Sequence, residues 1–156
     1  MSIFEPAPPP WPGRVLSIFR IVAGLVFLSA GTMKIFGYPA MPAGQPPIEP
    51  MTQMWIGGMM EVVGGVCIIL GLFTRPVAFV LAGEMAVAYF QFHAPASFFP
   101  TVNMGIPAVL YCWFFLYLVF AGAGEWSVDA MIARSRGARR VDDGRSPAYG
   151  GGRVAT

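Results

Sequence analysis

The run Val15-Leu-Ser-Ile-Phe-Arg20-Ile-Val-Ala-Gly24-Leu-Val-Phe27-Leu-Ser-Ala-Gly31-Thr-Met-Lys34-Ile-Phe36 decides the fold. As a helix it is about 33 Å long at 1.5 Å per residue. That matches the ~30 Å of hydrocarbon in a bilayer. No basic region of the signal-peptide kind leads into it, so it reads as an uncleaved span. Only two ionisable residues interrupt it, Arg20 and Lys34, and they fall on the same stripe as Gly24, Phe27 and Gly31, at steps of four, three, four and three. A stripe that mixes charge with glycine inside an apolar helix is the face expected to turn away from lipid.

Working outward, three more apolar runs follow, at about 54–73, 76–92 and 102–121. Backbone groups in lipid find no partners outside their own segment, so each run is expected to be helical. Thr74-Arg75-Pro76 alone joins the second run to the third, which makes those two a tight antiparallel hairpin. The other connections are longer. One carries Pro39, Pro42, Pro46, Pro47 and Pro50, and the other runs from His93 to Thr101 with Phe98 and Phe99 suited to the interface. The fold class expected is all-α: an antiparallel integral membrane four-helix bundle.

Composition agrees. The chain has 156 residues, of which 56% are hydrophobic and 12% charged. About a quarter charged is usual in soluble domains, so a water-facing surface is not what this chain is built for. A net charge of +2 is too small to suggest nucleic acid as a partner. Three segments are expected: a proline-rich tail over 1–14, the helical domain over 15–133, and an Arg- and Gly-rich disordered tail over 134–156. Before that last tail, Ser127 is placed to cap a short helix with Asp129 in its first turn. Arginine follows the same division: Arg14, Arg75 and six arginines after residue 130 lie on the two tails and the second loop, with none on the other loops. Both termini are therefore expected in the cytoplasm of a bacterial inner membrane.

Four ionisable residues lie within the spans: Arg20, Lys34, Glu61 and Glu84. Depth arithmetic puts Arg20 ~7 Å and Glu84 ~12 Å from the cytoplasmic ends of their helices, and Glu61 ~10 Å and Lys34 ~3 Å from the outer ends. Two pairs follow, Arg20 with Glu84 as a structural ion pair and Lys34 with Glu61 further out. Structural pairing and a polar ligand pocket both fit these charges. His93, the single histidine, lies near the level of Lys34. Asn103 suits either a cap for the fourth helix or a ligand contact, and Pro107 is expected to kink that helix. Lys34, Glu61, His93 and Asn103 thus form the candidate ligand set. Cys67 and Cys112 read as apolar packing residues, and no metal-ligand spacing is present.

These pieces together resemble the DoxX family of small four-helix membrane proteins. The resemblance rests on Arg20 to Leu28, on Gly31-Thr-Met-Lys34-Ile-Phe-Gly-Tyr-Pro39 and on Glu61-Val-Val-Gly64-Gly65. It continues in Gly71-Leu-Phe-Thr-Arg75-Pro76, Gly83-Glu84-Met-Ala-Val-Ala-Tyr-Phe90, His93, Leu110-Tyr-Cys112 and Gly124-Glu-Trp-Ser-Val-Asp129. Departures are Ala30 and Met33, where relatives often carry histidine and glutamine, and Asn103-Met-Gly-Ile106, where an acidic residue is common. The resemblance implies association with membrane redox systems. On it, the leading expectation is an accessory membrane subunit of an electron-transfer assembly, not catalytic on its own. A quinone or lipid would bind between its helices, and its partners would be lipid and other membrane subunits or a second copy. With a quinone bound, Lys34 and His93 would donate to the carbonyl oxygens and Glu61 would exchange protons. No haem ligand pair, iron–sulfur motif or flavin fingerprint accompanies these residues, so no intrinsic cofactor is expected. The alternatives are a non-catalytic scaffold or assembly factor and, less favoured, a small transporter.

Overall fold

A computed structural model describes residues 10–142. Among these residues every regular element is helical: α1 (Trp11–Phe36), α2 (Gln53–Leu70), α3 (Thr74–Ala88), α4 (Ile106–Ala121) and α5 (Val128–Asp142). The 15 residues of α3 run on into a five-residue π-helical turn, Tyr89–His93. By length and composition α1 and α2 can each cross a membrane, and α4 is a shorter apolar helix.

The ends of these helices have local causes. Pro12 lies in the first turn of α1, where a missing N–H costs nothing, so the helix starts at Trp11 and takes in the end of the expected 1–14 tail. Gly37 ends α1 and Gly71 ends α2, each in the left-handed region at φ 67° and 65°. Thr52 caps α2 by accepting from the Trp55 N–H. Pro107 sits in the first turn of α4, because α4 starts at Ile106; an N–H there would have no intrahelical acceptor, so its loss strands no carbonyl and gives no cause for the expected kink. Ser127 caps α5 by accepting from the Ala130 N–H. That helix continues to Asp142, so the first part of the expected disordered tail is helical, while 143–156 and the tail prolines before Pro10 lie outside the described residues.

α1 packs most closely on α2, and α3 on α4, with a sparser seam between α2 and α3. One core joins the four: Phe27 of α1, Ile68 of α2, Leu81 and Met85 of α3, Phe115 and Leu118 of α4. Phe27 meets Phe115 edge-on with ring centroids 4.9 Å apart. The doubled glycines of α2 explain how it serves two neighbours. Gly57-Gly58 and Gly64-Gly65 are seven residues apart, two helical turns, so each pair presents the same two faces. A methyl on Gly58 would stand 3.0 Å from Lys34 Cβ and one on Gly65 3.1 Å from Leu28 Cα, both on α1. A methyl on Gly57 would stand 3.3 Å from Glu84 Oε1 and one on Gly64 2.7 Å from a Leu81 methyl, both on α3.

The distribution of polarity is the reverse of a soluble protein's. Arg20 is 0% and Glu61 3% exposed, whereas Phe79 is 66%, Trp113 69% and Phe120 80% exposed. Charge is inside and large apolar side chains are outside, as a lipid solvent requires.

Candidate functional site

The buried ionisable residues form two groups at different heights, and the division differs from the expected pairs. Arg20 does not meet Glu84. The α1–α2 register places Gly24 beside Ile68 and Ile69, and Gly31 beside Glu61 and Val62. Continued one turn, it sets Arg20 level with the α2–α3 turn. There the last carbonyls of α2 have no intrahelical partners. The Arg20 guanidinium fills that need. Nη1 donates to the carbonyls of Ile68 and Ile69, the latter at 2.7 Å. Nε donates to Ala123 O at 2.8 Å and Nη2 to Trp126 O at 2.6 Å. A planar fork of five donors suits four carbonyls from two segments, and a positive charge favours a helix C-terminus.

The same end is tied by other contacts. Asp129 accepts from the N–H groups of Phe73 and Thr74, each at 2.9 Å, which caps α3 with a side chain from α5. The Asp129 N–H in turn donates to Gly71 O at 2.9 Å. Ser17 Oγ donates to Gly13 O at 2.8 Å and accepts from the Trp126 N–H at 3.0 Å. Arg14 Nε meets Glu125 Oε2 at 3.4 Å. This is a structural lock joining the start of α1, the α2–α3 turn and the α4–α5 connection.

The second group lies further along the helices. Lys34 Nζ donates to Glu61 Oε1 at 2.5 Å, so this expected pair is present. Glu84 belongs here too. It packs against Gly57 of α2, and the charges acting on it are those of Glu61 and Lys34. Glu61 lies ten residues before Gly71 and Glu84 ten after Thr74, so each stands about 15 Å from the shared turn. Equal distance from one hairpin puts both carboxyl groups at one height, which is why Glu84 finds Glu61 and not Arg20. Glu61 Oε2 and Glu84 Oε2 are buried with no hydrogen-bond partner.

His93 and Asn103 come together in a different place. His93 Nδ1 lies 3.0 Å from Asn103 O, Asn103 Nδ2 donates to Ser97 O at 2.6 Å, and Asn103 Oδ1 accepts from the Gly105 N–H at 2.7 Å. Tyr89 Oη donates to Phe98 O. Asn103 therefore caps the turn before α4 and not α4 itself. Among the described hydrogen bonds none joins this loop network to Lys34 or Glu61.

An apolar groove of about 500 Å³ runs along the α2–α3 seam, lined by Trp55, Met59, Met60, Val63, Val80 and Leu81 among others. Val63 and Val80 are more than half exposed, so the groove opens toward the surrounding hydrocarbon. Glu84 lies one turn beyond Leu81 on α3, and neither it nor Glu61 or Lys34 lines the groove. The groove and Glu84's membership of the cluster leave no motif in the sequence; the equal spacing of Glu61 and Glu84 about the hairpin is the signal that places the latter. Among the described residues no three His, Cys, Asp or Glu side chains are grouped as metal ligands would be.

A family model described as DoxX matches residues 15–94, just over half of the chain. The chain belongs to the DoxX family. The DoxX match takes in Arg20, Lys34, Glu61, Glu84 and His93, and stops before Asn103. A protein of Haemophilus influenzae described as uncharacterized is 43% identical over 119 residues, covering 73% of this chain and 87% of its own. The inner membrane protein YqjF of Escherichia coli is 32% identical over 124 residues, covering 74% and 89%. No solved structure matches the chain significantly. As a DoxX protein with an apolar exterior and charges turned inward, the chain is a membrane protein.

Proposed function

We propose that this DoxX protein is an accessory subunit of a redox assembly in the bacterial inner membrane, with a quinone or lipid held in the α2–α3 groove. It crosses the bilayer four times as an antiparallel bundle, and α3 completes its span through the π-helical turn. Both termini are cytoplasmic. In support, Gly13, Arg75, Glu125 and Arg134 line one groove at one end of the molecule, which gathers the start of α1, the α2–α3 turn and α5 where the arginines are.

The observation that carries the ligand reading is the apolar, bilayer-facing groove between α2 and α3, with the Lys34–Glu61–Glu84 cluster inside the bundle beyond its wall. Apolar walls with a few convergent polar groups are the ordinary form of a small-molecule site. The head group belongs at Lys34 and Glu61. The His93–Asn103 network shapes the outer loop.

Purification in mild detergent with mass spectrometry tests this. The expected result is stoichiometric co-purification of a cofactor-bearing oxidoreductase subunit together with quinone, with the quinone lost in Lys34→Met and Glu61→Gln. A protein that purifies alone, with no isoprenoid at any occupancy, contradicts it. A pure scaffold is the second reading, favoured by the engagement of Lys34, His93 and Asn103 in bonds within the protein. In that case both substitutions leave partner assembly and its activity unchanged.

A further inference from the structure

We propose that the groove at the Arg20 end of the bundle seats the phosphate of an anionic phospholipid head group. It is a second site, separate from the α2–α3 groove, and it needs only that the bundle lies in a bilayer.

The groove holds about 690 Å³ between the start of α1, the α2–α3 turn and α5. Its charged wall residues are Arg75, Arg134, Glu125 and Asp129. Both acids are already engaged. Glu125 meets Arg14 at 3.4 Å. Asp129 accepts from the Phe73 N–H on one oxygen and the Thr74 N–H on the other, and its charge acts on the buried guanidinium of Arg20. Arg75 and Arg134 have no acidic partner among the described residues. With Arg14 set against Glu125 and Arg20 against Asp129, these two arginines leave the groove with an excess of positive charge. A guanidinium keeps that charge at any physiological pH.

The geometry leaves Arg75 available. Its guanidinium lies over Gly122, where an added methyl would stand 3.7 Å from Nε. One long hydrogen bond, 3.3 Å from Nη2 to Phe120 O, steadies it, and a guanidinium has five N–H donors. Thr74 gives an argument independent of charge. It belongs to the same wall, is 0% exposed, and its Oγ1 has no hydrogen-bond partner. Buried hydroxyls without partners are rare, and a phosphate oxygen against this wall is the acceptor it lacks.

The apolar lining selects a lipid over a free anion. Leu16, Phe73 and Pro76 share the wall with the arginines. Phe73 is 64% exposed and Trp126, at the same end, 53%, as aromatic rings are at a bilayer interface. A phospholipid satisfies both parts, phosphate on the arginines and acyl chains along the apolar helices. Basic pockets between spanning helices bind anionic head groups in this way.

Native mass spectrometry of the full chain, delipidated in detergent, tests the proposal with added phosphatidylglycerol, phosphatidylcholine or inorganic phosphate. Saturable binding of one phosphatidylglycerol per chain is expected, about tenfold or more tighter than phosphatidylcholine. Arg75→Gln and Arg134→Gln should each weaken it about fivefold, the worth of one basic residue near an anionic lipid. Arg75→Lys, which keeps the charge, should restore most of the loss, so a folding defect in Arg75→Gln is told apart from a binding one. Arg136 does not line the groove, and Arg136→Gln should leave binding within about twofold. Equal affinity for the two lipids, or phosphatidylglycerol binding unchanged in the Arg75→Gln, Arg134→Gln double variant, overturns the proposal. An effect of Arg136→Gln as large as that of Arg134→Gln also overturns it, since the attraction would then be diffuse. Inorganic phosphate bound without phosphatidylglycerol overturns the lipid as the source of the phosphate.

Discussion

Among the described residues Arg20 carries more hydrogen bonds than any other side chain, and every acceptor it uses is a main-chain carbonyl. Its replacement by methionine strands those carbonyls where water is scarce. Hydrogen bonds to charged groups are each worth about 1.5–3 kcal/mol, so Arg20→Met should lower stability by about 3 kcal/mol or more, read as a fall in melting temperature in detergent. Arg20→Lys should rescue little of it, because a single ammonium cannot span two segments as the guanidinium does. Glu84→Gln added to Arg20→Met should be additive within about 0.5 kcal/mol, since the two residues share no partner. A larger coupling would mean that they touch. Lys34 and Glu61 should behave in the opposite way. Lys34→Met leaves Glu61 buried beside an apolar stem and should cost about 3 kcal/mol, with much of it restored in the Lys34→Met, Glu61→Gln double variant. Additive losses in that pair would rule out the 2.5 Å contact as a stabilising bond.

Among the helices, glycine controls how near the neighbours come. A methyl on Gly31 would stand 2.8 Å from Val62 N and 2.9 Å from Gly58 O, main-chain atoms of α2 that cannot move aside. Gly31→Ala should therefore push α1 from α2 and cost about 1–3 kcal/mol, as overpacking does elsewhere. Gly83 has nothing within 4 Å of an added methyl, so Gly83→Ala should be neutral or stabilising by up to about 1 kcal/mol. Thermal denaturation of the two variants side by side checks both. The helices themselves were legible in the chain, because apolar runs bounded by proline and glycine leave few other choices. So was the stripe of Arg20, Gly24, Phe27 and Gly31, which is buried along α1 as its spacing requires. The Lys34–Glu61 pair was also legible, because the 3-4 steps fix which side chains face a neighbouring helix. The environment of Arg20 was not, for its partners are carbonyls, which every residue has and no sequence marks. Glu84 was paired with Arg20 because Glu61 was counted from the outer end of α2; counted from the α2–α3 turn, both carboxyl groups fall at one height. Asn103 misled for a related reason: helix α4 starts at Ile106, so the residue that looked like its cap closes the preceding turn.

Taken whole, the molecule has two charged levels within an apolar exterior: a lock at the α2–α3 turn and a carboxyl cluster about 15 Å above it. The lock ties the start of α1, the α2–α3 turn and the α4–α5 connection to one another through main-chain groups. The groove lies on the sparser seam, where a ligand displaces little protein packing. Everything else rests on the chain passing four times through lipid with the arginine-bearing end in the cytoplasm. Single cysteines in a Cys67→Ala, Cys112→Ala background, challenged with a membrane-impermeant maleimide in spheroplasts and in inverted vesicles, test this most directly. Cysteine at Ala43 or Ser97 should label only in spheroplasts, and cysteine at Arg75 or Arg134 only in inverted vesicles. Labelling of position 75 from the same side as position 43 would mean that α2 does not cross, and the four-span arrangement would be wrong.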